Sequence, residues 1–173
     1  SLRILVRSLA LVLSISSCLM SCRVFHHYDI TFNNVPVYQN VSRASADGIS
    51  DRQLANCIKE TIIESEIQQS SSLVHLECPN ADISSLNGLA RFSALVNLNL
   101  SNNRIKSLEP LRRLTSLEYL RIENNKVDDP TPALKIGSLL EVDFRGNTTL
   151  RCPIESNVRS SLNLELPRHC KSE

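Results

Sequence analysis

Cysteine is the residue type here with the widest chemical repertoire, and the 173-residue chain has six, alongside four histidines. Four cysteines lie in the body of the chain: Cys57, Cys78, Cys152 and Cys170. Thiols can bridge, bind a soft metal or act as nucleophiles, and spacing decides among these. No C-x-x-C or H-x-x-x-H spacing occurs, and His75 and His169 stand alone in the sequence, so we assign no metal. His26 and His27 are adjacent and face different ways in an extended chain. There is no G-x-S-x-G, no H-E-x-x-H and no phosphate-cradling glycine loop, with only four glycines in all, so we assign neither a catalytic residue nor a cofactor. Nineteen Lys and Arg against eighteen Asp and Glu leave a net charge of +1, no excess to gather phosphates. Aromatics are 4% and Trp is absent, which removes a base-stacking platform. Nucleic acid is therefore not an expected partner.

The cysteines have to be read with the compartment. Residues 1–17 carry a basic start (Arg3, Arg7), an apolar run from Leu9 to Ile15 and then serines, the layout of a secretory signal peptide. The absent initiator Met leads us to expect residues before Ser1. No apolar run reaches the ~20 residues of a membrane span. Ile15-Ser16-Ser17-Cys18 resembles the lipobox of bacterial lipoproteins, which implies lipidation of Cys18. Leu19-Met20-Ser21-Cys22 is a poorer match and makes Cys22 the alternative. Neither cysteine is followed by Asp, and the resemblance then implies the outer membrane. An ordinary cleaved signal is the other reading. In an oxidising space the even set of body cysteines is expected to pair.

The centre of the chain falls into register at a period of 22, with blocks starting at Leu73, Leu95, Leu117 and Leu139. The second block places Leu95, Leu98, Leu100, Ile105, Leu108, Leu111 and Leu114 at its apolar positions. Asn103, Asn125 and Asn147 recur at one place, where the first block has Ala81. This pattern, L-x-x-L-x-L-x-x-N-x-L over residues 73–150 without an insertion, resembles the leucine-rich repeat of 22-residue, internalin-like length. The expected fold is an α/β solenoid with one strand per repeat in a parallel sheet. Alternation turns Leu98 and Leu100 inward and Asn97 and Asn99 outward. Apolar residues every third place, with Pro110, predict 3₁₀ or short helical turns on the convex side. An amide donates and accepts at once, so the three asparagines are expected to form a ladder across the bends. Plain surface turn residues are the other reading.

The ends of a solenoid need covers. Residues 50–72 are expected to form a helical N-terminal cap, with Ser50 or Asp51 as N-cap and Leu54, Cys57, Ile58, Thr61 and Ile62 at helical spacing. Cys57 would face Cys78 at an inward place of the first repeat, and their bridge would contribute about 3 kcal/mol. Residues 151–173 are expected to form an irregular C-terminal cap, pinned by Cys152–Cys170 and covering the last repeat with Leu162, Leu164 and Leu166. Free buried thiols are the alternative to both bridges. Residues 18–49 read as a lipidated start, a linker and a small hairpin turning at Asn33-Asn34, with Pro36 confining its second arm to an edge.

In leucine-rich repeat proteins partners usually bind the concave sheet face, which implies Asn97, Asn99, Tyr119, Arg121, Glu141 and Asp143 as contact residues here. Tyr and Arg are enriched at interface hot spots. Glu123, Glu141 and Asp143 around Arg121 could equally form a salt-bridge lattice on a solvated surface. Four strands at ~4.8 Å make a sheet about 20 Å long whose outward columns, roughly 10–15 Å wide, offer on the order of a few hundred Å², short of the ~800 Å² a standard interface takes from each partner. The expected function is a non-enzymatic, lipid-tethered module of the bacterial cell envelope that binds a protein or peptide through the concave face and caps. The alternatives are a structural or self-associating envelope lipoprotein, and a secreted adhesin or effector.

Overall fold

Three-residue strands cannot bury their own side chains, so the 22-residue period must be satisfied by stacking. The structure is a computed structural model, described for residues 31–32, 35–36, 44–154, 156 and 158–171. The leader and both lipidation candidates, Cys18 and Cys22, lie outside the described residues. Thr31–Phe32 (β1) and Val35–Pro36 (β2) pair antiparallel as a unit by themselves.

The second unit is a five-stranded parallel sheet of His75–Glu77 (β3), Asn97–Asn99 (β4), Tyr119–Arg121 (β5), Glu141–Asp143 (β6) and Asn163–Glu165 (β7), in sequence order. Each strand pairs in register with the residue 22 positions on, as in Leu76 with Leu98 and Leu98 with Leu120. The inward places Leu76, Leu98, Leu120 and Val142 are buried, as are Cys78, Leu100, Ile122 and Phe144 just after the strands. The return segments add Leu86, Leu108 and Pro130, then Leu89, Leu111 and Ala133, then Phe92, Leu114 and Ile136, all buried. Burying each large aliphatic side chain is worth about 1.5–3 kcal/mol, and each needs the neighbouring repeat to be buried at all. The returns are 3₁₀ turns at Leu89–Arg91 and Glu109–Arg113, and a single helical turn at Thr131–Leu134.

The expected four-stranded sheet has a fifth member. The C-terminal cap supplies β7, paired in parallel with β6 so that Val142 stands opposite Leu164. Leu162 is buried and Leu164 and Leu166 are half-buried, so the cap covers the sheet by extending it. Arg159 fastens it to the preceding repeat by donating to the carbonyls of Ile136 (3.0 Å), Leu139 (2.8 Å) and Gly137.

At the other end, the helix Arg52–Glu64 begins at Asp51, which accepts from the amides of Gln53 (2.9 Å) and Leu54 (3.1 Å). Leu54 and Ile58 face the core. Two disulfides close the ends, Cys57–Cys78 with Cα atoms 6.0 Å apart and Cys152–Cys170 at 5.3 Å.

Candidate functional site

Each strand presents two side chains on the sheet face, and the residue two places beyond adds a third. Register then builds columns. The first runs His75, Asn97, Tyr119, Glu141, Asn163, and the second Glu77, Asn99, Arg121, Asp143, Glu165. A third, from the sequence places that follow, holds Ser101, Glu123 and Arg145.

These columns are held from behind by the bends. Asn103 is buried; its Oδ1 accepts from the amides of Ala81 (3.1 Å) and Ile83 (2.9 Å), and its Nδ2 donates to the carbonyls of Cys78 and Leu100 at 2.9 Å each. Asn125 accepts from Ile105 N and donates to Leu100 O, both at 2.9 Å. Asn147 accepts from Val127 N and donates to Ile122 O, again at 2.9 Å. Every member therefore reaches back to the preceding repeat. This gives the first block's Ala81 a physical reason: no earlier repeat stands there to be served. Its role toward the cap passes to Asp51, whose second oxygen accepts from Ser84 N (2.8 Å), Ser84 Oγ (2.9 Å) and Ser85 N (3.1 Å).

A second column went unread in the sequence. Asn80, Asn102, Asn124 and Gly146 occupy one place in four repeats and all have positive φ, from 54° to 74°. Asn and Gly are the residues that enter this left-handed region at least cost. Asn124 Nδ2 donates to Asn102 Oδ1 at 2.8 Å, and a Cβ on Gly146 would meet Asn124 Oδ1 at 2.0 Å. Their spacing of 22 was the available signal.

On the open face, the groups divide into committed and uncommitted. Asp143 is buried, with Arg145 Nε donating to both of its oxygens at 3.0 Å. Burial alone would raise the Asp143 carboxyl, but the hydrogen bonds and charge of Arg145, with Arg121 nearby, hold it below the usual carboxylate range. Glu77 accepts from Asn99 Nδ2 (3.2 Å), Glu141 from Asn163 Nδ2 (3.3 Å), and Asn99 Oδ1 also takes the Ser101 hydroxyl at 2.6 Å. Glu165 pairs with Lys171 at 3.4 Å. The expected lattice around Arg121 does not form: among the described residues Arg121 has no ion pair, because Arg145, two places along from Asp143, takes that carboxylate first. Tyr119 beside it is 42% exposed. Both line a shallow hollow of about 170 Å³, together with Glu77, Asn97, Asn99 and Glu141. Five of the six expected contact residues thus gather at one hollow, and Asp143 stands apart, spent on Arg145.

No group in this hollow forms a nucleophile–base pair. At the C-terminal cap, the donor atoms of Cys152, His169 and Cys170 lie within 4.8 Å of one another, but the two sulfurs are bonded to each other and His169 Nε2 meets Leu150 O at 2.9 Å.

The family description "Leucine Rich repeats (2 copies)" matches residues 93–135, the second repeat and most of the third. The chain also superimposes on an internalin (InlF) of Listeria monocytogenes with a TM-score of 0.54 and 23% identity, over 60% of this chain and 33% of that one. The fold is a leucine-rich repeat solenoid. A second similar structure, the functional domain of InlJ from the same organism, has 18% identity and a TM-score of 0.41, over 69% of this chain and 37% of that one. The solenoid thus spans about a third of the length of these two internalin chains. No curated protein matches it. Among the described residues, no helix is long and apolar enough to cross a membrane.

Proposed function

We propose that this solenoid is a non-enzymatic interaction module that takes a protein or peptide partner on its sheet face, with the caps widening the contact. The observation that carries this reading is the state of Arg121 and Tyr119: both are exposed at the centre of the face, and Arg121 is not consumed by a neighbouring carboxylate. A guanidinium and a phenol side by side offer fixed donors and an apolar ring to a partner. Asn97, Asn99 and Glu141 would line the contact, and Asp143 would act only by fixing Arg145. The hollow is small, so the partner is a short loop or extended segment, or the caps contribute.

The module is proposed to be held in the bacterial cell envelope by a lipid on Cys18, or alternatively Cys22, and to belong to the outer membrane. The lipobox-like Ile15-Ser16-Ser17-Cys18 supports this. The test is twofold. A diacylglycerol-modified N-terminal cysteine in the membrane fraction of the native host supports the tether, and an unmodified N-terminus in the medium refutes it. Photo-crosslinking from position 99 should trap one envelope partner, and Arg121→Glu with Tyr119→Ala should abolish the adduct. An adduct that survives both substitutions refutes the sheet-face reading.

A further inference from the structure

Among the described residues, one group of three metal-binding side chains converges: Cys152, His169 and Cys170, with donor atoms within 4.8 Å of one another. Sequence spacing hides the group, because His169 and Cys170 stand at the far end of the cap from Cys152. While the two sulfurs are bonded to each other, neither is free to hold a cation. That bond is open to attack. Cys152 is exposed, and access to sulfur governs thiol–disulfide exchange. The other bridge differs: Cys78 lies in the core, and among the described residues Cys57 and Cys78 belong to no such group.

Both arms of the group are held in place without the bridge. Arg151, next to Cys152, donates its amide to Asp128 O at 2.8 Å and pairs with Asp129 at 3.3 Å. On the other arm, β7 runs in register with β6, and Cys170 N donates to Pro167 O at 3.0 Å. His169 Nε2 joins the arms by meeting Leu150 O at 2.9 Å. A carbonyl only accepts, so Nε2 carries the proton and the neutral ring keeps its lone pair on Nδ1. A ring N–H fixed on a backbone carbonyl is the usual way a metal-binding histidine is oriented. The cations next to the two cysteines are paired, Arg151 with Asp129 and Lys171 with Glu165, so neither opposes a bound cation.

We propose that the Cys152–Cys170 bridge is the oxidised, closed form of a two-thiolate, one-imidazole site for a thiophilic cation. A dithiol reductant opens it. One of its thiolates attacks the exposed Cys152 sulfur, the bridge breaks, and Cys170 leaves as a thiolate. The second thiol closes the reductant's own disulfide and releases Cys152, so two electrons and two protons pass to the chain. The cation then displaces the thiol protons and takes both sulfurs and the free His169 nitrogen, leaving a fourth position to water. Two Zn–S bonds of ~2.3 Å at a tetrahedral angle set the sulfurs about 3.8 Å apart, within the 4.8 Å that the donors already span. This donor set selects Zn(II) or Cu(I) over Mg(II) or Ca(II). The cap is thus pinned by a covalent bond when oxidised and by a metal when reduced.

The test is zinc binding by the mature chain carrying Cys18→Ser and Cys22→Ser, which leaves only the bridge cysteines. It is compared oxidised and after graded phosphine reduction, with the reductant removed by anaerobic gel filtration and the opened bridge verified by alkylation and mass spectrometry. A chromogenic chelator competes for Zn(II), and Co(II) in its place reports thiolate ligation by charge-transfer absorption. The reduced chain should take one Zn(II) and melt at a higher temperature with it, and the oxidised chain should take none. His169→Ala should weaken binding by more than the roughly 10–100-fold that losing an outer partner of a ligand costs. Cys152→Ser should abolish it. Should Cys152→Ser fail to fold by circular dichroism, His169→Ala decides alone, because both bridges survive that change.

Three outcomes overturn the proposal. They are a reduced chain that takes no zinc, binding that His169→Ala leaves unchanged, and binding that persists in folded Cys152→Ser. Any of these makes the bridge a staple of the cap and nothing more.

Discussion

One oxygen of the Asp51 carboxylate starts the cap helix, and the other receives both the amide and the hydroxyl of Ser84, 33 residues away. A single side chain therefore fixes the helix and ties it to the first repeat. Asp51→Ala should cost about 2–3 kcal/mol, the loss of an N-cap plus the amides left behind, read by urea unfolding.

The same carboxyl gives a pH signature. Burial would raise it, but the bonds from Ser84, Leu54 and Ser85 prevail and hold it below its ordinary value. A depressed folded value means that this stabilisation is complete above the unfolded value of about 3.9 and is lost as pH falls through the lower folded value. Asp51→Asn should flatten the acid limb of a stability–pH curve below the unfolded carboxyl value without removing it, because Asp143 contributes with the same sign. An unchanged acid limb would contradict this.

Asn125 is buried and donates or accepts across three segments of backbone. Asn125→Leu strands the Ile105 amide, at about 1–3 kcal/mol, while the Leu100 carbonyl keeps the bond from Asn103. Hydrogen exchange should locate the damage in the preceding repeat: the Ile105 amide should lose protection more than amides after position 125.

Gly146→Ala should destabilise by more than the ~1 kcal/mol of a left-handed alanine, because its Cβ would collide with Asn124 Oδ1. Truncating Asn124 to Gly should recover the excess. A double-mutant cycle reads this directly, and strict additivity of the two substitutions would refute the collision.

The two disulfides should open in order. Cys152 is exposed, while Cys78 is only 2% exposed in the core. Graded reduction with alkylation and mass spectrometry should label Cys152 and Cys170 first. Replacing either pair should cost about 3 kcal/mol, and Cys78→Ala adds a core cavity to that loss.

What was legible in the sequence was whatever the period encodes. Inward places such as Leu98 and Leu120 follow from counting by 22, as do the turns between them. The fifth strand was less visible because residues 151–161 drop the aliphatic pattern and Ser161 stands where Leu139 stood, although Leu164 and Leu166 keep step with Val142 and Phe144. Ion pairing around Arg121 was misjudged because several carboxylates compete for two guanidiniums, and only the geometry of Arg145 decides the winner.

The backward reach of the asparagines also gives the array a direction in time. As the chain emerges during synthesis, the bend at Ala81 and Ile83 has no amide partner until Asn103 follows it out, and Ile105 waits in the same way for Asn125. Each repeat is completed by its successor, so a nascent chain runs one repeat behind its own length. A chain cut after any repeat leaves the last bend open, whereas one that begins late strands no bend behind it.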